Sequence, residues 1–186
     1  MNLKETLLYM KQSGAMSRYI EHSQQIKPVY FHKHHGIHGI GHTKRVLFLV
    51  ELLAALENLA EPERDILSTA AVYHDIGRTN DGVDAIHGFS SFIKAEKLSL
   101  IQLENCEDCN AARYLIETHC IDDQEALALI KDYPLRGPDR AKKLLMFLKD
   151  ADGLDRVRIK ALNPNMLRLP VSKGLVLMAE ELCQHL

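Results

Sequence analysis

The sequence predicts an all-α fold, and three observations carry that prediction. Apolar residues recur three and four positions apart along almost the whole chain. Alternating runs rich in Val, Ile and aromatic residues, the mark of a half-buried strand, are nearly absent. The 186 residues are 46% apolar and 26% charged, the make-up of an ordinary globular chain with enough apolar side chains for one real core. One domain over 1–186 is therefore expected.

The elements follow in order. The spacing predicts helices over about 2 to 25, 42 to 60, 63 to 75, 88 to 103, 108 to 120, 122 to 132, 139 to 151 and 172 to 185. Pro62 stands where a first-turn proline is tolerated, and Glu63 and Asp65 favour the positive end of the helix that follows. The stretch Gly77 to Gly82 ends that helix. Gly137 and Pro138 stop anything arriving from upstream, Asp139 is expected to cap the helix starting at Arg140, and Gly153 is expected to interrupt it near its end. The segment from Val171 to Leu186 reads as a last helix packing on the bundle, and Met1 to Tyr30 as a helical flank. Either is able to contribute to a homodimer.

Charge and cysteine usage narrow the partners. A net charge of −2 gives no general attraction to a phosphate backbone or an anionic bilayer, so neither extended nucleic acid nor a membrane is expected. Lys4, Glu5, Lys11 and Arg18 interrupt the first twenty residues, which leaves no apolar run for a signal peptide, and a cytoplasmic location is the expectation. Cysteines at 106, 109, 120 and 183 are read as unpaired. Cys106 and Cys109 have the spacing of half a zinc site, but the second pair is missing.

Chemistry gathers where polar side chains share faces with apolar ones. His42 shares its face with Val46, Leu49, Val50 and Leu53, and His74 shares its own with Ile66, Leu67, Ala70 and Ala71. Asp152 lies on the stripe of Leu144, Leu145 and Leu148, and His119 on that of Ala111, Ala112, Leu115 and Ile116. A single inward histidine is more often a hydrogen-bonded core residue than a ligand. Several metal-competent groups at the inner ends of separate stripes each need a partner, and a shared cation supplies one to all of them.

His42 after GHTKRV's first glycine, the doublet His74-Asp75 in AVYHDIGR, and Asp152 in LKDADGLDRVR occur in an order and spacing that resembles the HD superfamily of metal-dependent phosphohydrolases, over roughly 38 to 158. The resemblance implies a single-domain helical bundle in which His42, His74, Asp75 and Asp152 bind one metal. Asp150 and Asp155 are rivals for the last place, but the ADGL pattern points to Asp152. Two further histidines of some family members hold a second ion that shares the doublet's carboxylate, and His87 and His119 stand at the matching places. His38, four residues before the first ligand, also matches a histidine often found there. His32, His34 and His35 read as an exposed loop.

Imidazole and carboxylate donors suit Mn, Fe, Co, Ni or Zn, with Mg admissible, as one or two ions. The implied activity is hydrolysis of a nucleotide or other small phosphate ester, as a phosphomonoesterase or phosphodiesterase, by attack of a metal-bound hydroxide. Asp75 and Arg78 are the expected catalytic residues, Arg45, Arg78 and Arg156 are expected to face substrate, and Asp155 is expected either to face substrate or to support a ligand from behind. A non-catalytic regulatory module holding a nucleotide or metal is the alternative. The pair His119-Cys120 replaces the His-His pair of the cyclic di-guanylate phosphodiesterase branch, so that branch is not expected.

Overall fold

The helical periodicity resolves into ten α-helices and no strand in the computed structural model, which describes residues 1–186. They are α1 (Leu3–Gln12), α2 (Ala15–Ser23), α3 (Ile40–Leu56), α4 (Glu61–Tyr73), α5 (His87–Lys97), α6 (Cys106–Thr118), α7 (Asp123–Leu129), α8 (Pro138–Asp155), α9 (Pro170–Lys173) and α10 (Val176–His185). No helix is long and apolar enough to cross a membrane.

α3 is the axis of the bundle. From Val46 to Ala55 every residue is buried, so this helix is covered on all sides, chiefly by α2, α4 and α8. Leu47, Leu49, Leu52 and Leu53 are wholly inaccessible, and burying each stabilises the fold by about 1.5–3 kcal/mol before chain entropy is counted. A second packing unit, α4 on α6 and α6 on α5, continues the same core toward the far side. The short α1 and α10 close the end of the bundle against each other.

Several element ends differ from expectation, each for a local reason. The first predicted helix is two, because Gly14 adopts a left-handed φ of 77° that no α-helix continues through. The fourth ends at Lys97 rather than near 103, with Ser99 also left-handed at φ 52°. α8 begins at Pro138 with Gly137 at its N-cap, so Asp139 lies inside the first turn and does not cap. Gly153 does not interrupt α8, which continues helical to Asp155. The C-terminal helix is likewise split into α9 and α10. Three caps had no place in the expectations: Asn2 accepts from the Glu5 N–H, Asn105 from the Asp108 N–H, and Asp122 from the Gln124 N–H.

Candidate metal centre

Five chain segments deliver the predicted ligands to one place, and they use helix ends to do it. His42 lies in the first turn of α3, and His87 is the first residue of α5. His74 and His119 are the C-cap residues of α4 and α6. Asp75 follows His74 in the turn, and Asp152 is in the last turn of α8. The last carbonyls of a helix have no intrahelical partner. Here they orient the rings: His74 Nδ1 donates to Ala71 O at 2.8 Å, and His119 Nδ1 to Ile116 O at 2.7 Å.

The other two rings are fixed in the same sense. His42 Nδ1 donates to Asp155 Oδ2 at 2.7 Å, and His87 Nδ1 donates to the Asp84 carbonyl. With Nδ1 engaged as donor in all four histidines, Nε2 is left as the lone-pair nitrogen of the neutral ring. These nitrogens converge in pairs. His42 Nε2 is 3.1 Å from His74 Nε2, and His87 Nε2 is 2.9 Å from His119 Nε2. Two lone pairs facing one another at such distances repel unless a cation or proton lies between them.

Asp75 joins the two pairs. Its Oδ2 is 3.3 Å from His42 Nε2 and 3.7 Å from His74 Nε2, and its Oδ1 is 3.0 Å from His87 Nε2 and 3.7 Å from His119 Nε2. Asp152 Oδ1 completes the first group at 3.4 Å from His42 Nε2. Donors held about 2.0–2.2 Å from one ion are separated from each other by roughly 3 Å, the edge of a coordination polyhedron. The observed separations have that size. The donor set therefore fits a divalent metal ion, with Asp75 within reach of both histidine pairs. Its side chain is only 2% exposed, whereas that of Asp152 is 31% exposed and opens the first group to solvent.

The electrostatics divide the rings: burial opposes protonation of His42, but hydrogen bonds to Asp155 and Asp75 outweigh it and raise the ring, so a proton competes with a metal ion there. Burial pushes the His74 ring down to about 3, so it is neutral near pH 7 with a lone pair to give. Asp75 is buried, which opposes ionisation, yet His74 and hydrogen bonds from His119, His38 and His42 hold it well below the carboxylate range. Asp152 and Asp155 are lowered against the same burial penalty, chiefly by His42. His87 is also desolvated, but its bond to Asp75 raises it to about 10. A proton and a metal ion are alternative occupants of the same Nε2.

The cationic residues divide into two sets. Arg78 donates from Nε to Asp75 Oδ1 at 2.8 Å and from Nη2 to His87 Nε2 at 3.3 Å, and it lines a cavity of about 380 Å³ over the centre. Arg156 is exposed at the rim of that cavity and of a second one, about 320 Å³, which also share His119 and Asp152. Arg45, expected to face substrate, and Asp155, for which either role was open, are buried behind His42. Arg45 donates to both oxygens of Asp155, and that carboxylate is only 1% exposed. They orient His42 and do not reach the cavity.

Other placements follow the local sequence. Asp150 points away from the centre and accepts from the backbone of Arg168 and Leu169 at 2.9 and 2.8 Å, tying down the segment after α8. His38 Nδ1 donates to Asp75 Oδ2 at 2.8 Å, while His32, His34 and His35 are exposed. Cys106 and Cys109 join no cluster able to hold an ion. Two contributors had no role in the sequence reading. Arg158 binds Asp155 Oδ2 at 2.9 Å and lines the cavity. Gly88 lets α5 approach α6 so closely that a Cβ there would lie 2.5 Å from Ile116 O, which is what brings His87 up to His119. A larger groove of about 590 Å³ lies between α2, α4 and the turn after α5, but none of its residues belongs to a possible metal cluster.

The profile of the HD domain matches residues 39–157, more than half of the chain, from the residue before α3 to just past α8. The chain belongs to the HD domain family. The matched span contains all six converging ligands and ends two residues after Asp155. HD domains bind divalent metals and are typical of metal-dependent phosphohydrolases, and the His/Asp clusters of this HD domain fit that chemistry. Comparison with curated proteins and with solved structures returned no match.

Proposed function

We propose that this HD domain is a metal-dependent phosphohydrolase that cleaves a small phosphate ester, with a nucleotide as the leading substrate class. The observation that carries the reading is the Asp75 carboxylate, buried between two pairs of histidines whose Nε2 atoms face each other. In this reading His42, His74, Asp75 and Asp152 hold one ion, and His87, His119 and Asp75 hold a second. Divalent ions bound there would lower the pKa of a coordinated water toward neutrality and neutralise charge on the phosphoryl oxygens.

The protein's own residues supply the rest. Asp155, fixed by Arg45 and Arg158, holds His42 in the tautomer that presents Nε2. Asp152, the exposed member of the first group, marks the side from which a substrate enters. Arg78 and Arg156 line that side and place positive charge where phosphoryl oxygens would come to rest. The cavity of about 380 Å³ is within the size range of small-ligand sites, and its walls are polar, as a phosphorylated ligand requires.

Replacing Asp75 with Ala and assaying a panel of phosphomonoesters and phosphodiesters with added Mn tests the reading. Loss of at least about a thousandfold in rate, or ~4 kcal/mol of transition-state stabilisation, is expected. Hydrolysis by the variant at the wild-type rate would remove the mechanism. Metal binding by the wild type with no turnover of any substrate would make the domain a regulatory module instead.

A further inference from the structure

The two halves of the centre are unequal in donors. The first has two imidazoles and two carboxylates, from His42, His74, Asp75 and Asp152. The second has two imidazoles, from His87 and His119, and only the far oxygen of Asp75. Arg78 already donates to that same oxygen and to His87 Nε2, so an ion there competes for both groups. A fourth protein donor would tip that contest toward the ion, since each added metal bond offsets the contacts that Arg78 gives up.

Cys120 stands where that donor is needed. It directly follows His119, the C-cap of α6, and its sulfur lies with one ring nitrogen of His87 and one of His119, all within 4.8 Å of one another. It lines the same cavity as Asp75, His87 and His119. Its thiol makes one weak hydrogen bond, to Ala85 O at 3.4 Å, next to the Asp84 carbonyl that orients His87. One turn of chain thus positions both the ring and the sulfur. The close approach allowed by Gly88 brings that turn against the end of α6.

We propose that Cys120, as its thiolate, is the fourth ligand of the second metal ion, giving that ion a His87, His119, Asp75 and Cys120 environment. The proposal rests on the two-cluster reading above. A sulfur donor makes the second half soft, so it favours Zn, Co or Fe(II) over Mg or Mn, while the first half, with two carboxylates, accepts harder ions. The two positions therefore select different metals, and the thiol proton is released when the second ion binds.

Cobalt(II) titration of the metal-stripped full chain, without a histidine tag, tests this. Two equivalents are expected to bind, and the second brings a sulfur-to-cobalt charge-transfer absorption in the near ultraviolet. In Cys120→Ser the first equivalent binds as in the wild type, which shows the variant is folded. Its second equivalent binds on the order of 100-fold more weakly, the upper end of what losing even an outer-shell partner costs, and the charge-transfer band is absent. Cys109→Ser keeps both. A Cys120→Ser protein that binds the second equivalent with wild-type affinity, or retains the band, overturns the proposal. Uptake of a single equivalent without the band overturns the thiolate ligand and leaves a one-ion phosphohydrolase standing, whereas no cobalt uptake at all removes both readings.

Discussion

α3 carries a buried polar group toward each end, and the two ends solve the same problem in opposite ways. Glu51, with no exposed side-chain surface, accepts from Ser68 Oγ at 2.6 Å, Arg64 Nη2 at 3.0 Å and Arg18 Nε at 3.2 Å. Its charge is balanced by arginines from α2 and α4, and Arg18 goes on to pair with Glu61 and Asp65 at the surface. His42, nine residues earlier and about 13 Å away along the axis, faces His74, Asp75 and Asp152, with no arginine aimed at its Nε2. Protein groups balance the charge of Glu51 and only outline the His42 cluster. A buried carboxylate among arginines is a structural solution, while one among convergent ring nitrogens is a receptor for a cation.

Separating the two clusters by mutation sharpens that contrast. The largest effect is expected at the structural end: Glu51→Ala strands the buried Arg64 guanidinium, while Arg18 keeps Glu61 and Asp65, and should lower unfolding free energy by ~3–5 kcal/mol in a urea titration. The folded fraction should bind as much metal as the wild type, and a drop in stoichiometry would show that the clusters are coupled. Asp155→Asn comes next. It keeps an oxygen for His42 Nδ1 but loses the charge that Arg45 and Arg158 balance, so affinity at the His42 site should fall about 10- to 100-fold with the second site unchanged, read by metal titration.

The smallest effect concerns acid stability, away from both clusters. Partial burial opposes ionisation of Asp123, but Arg168 and Lys149 hold it down at about 2, below the ordinary 3.8. A lowered carboxylate pKa contributes stability that is fully present above the unfolded value and fades as pH falls from about 4 toward 2. Because the side chain is 46% exposed, solvent screening limits the contribution to about 1 kcal/mol or less. Asp123→Asn should lower stability by that amount at pH 7, and the deficit should shrink to nothing as pH falls from about 4 toward 2. An equal loss at every pH would point to packing rather than charge.

How much of this was legible in the chain depends on what each residue needed. The helices and the inward placement of His42, His74, His119 and Asp152 were readable because polar groups stood at the inner ends of apolar stripes, whereas Asp75 and His87 were placed only by the resemblance to the HD family. Arg45 was misplaced toward substrate, and the two roles open for Asp155 were left undecided, because a charged residue near a ligand looks the same whether it faces a cavity or props a ring from behind. Glu51 left a signal in VELLAAL, one acid in an apolar run, whose partners lie on other helices. Gly88 and Arg158 left none, since a close approach between helices and a contact beyond the end of α8 are tertiary facts. Gly14 and Gly153 show the limit of local rules: one glycine takes a positive φ and breaks a helix, and the other stays helical within α8.

The most direct measurement of the central claim is elemental analysis of the tag-free chain and its Asp75→Ala variant after dialysis against a mixture of Mn, Fe(II), Co and Zn. Two ions per wild-type chain, with both lost or strongly depleted in the variant, is the result predicted by a carboxylate shared between the histidine pairs. A wild-type chain that retains no metal, or a variant that retains as much as the wild type, would contradict it.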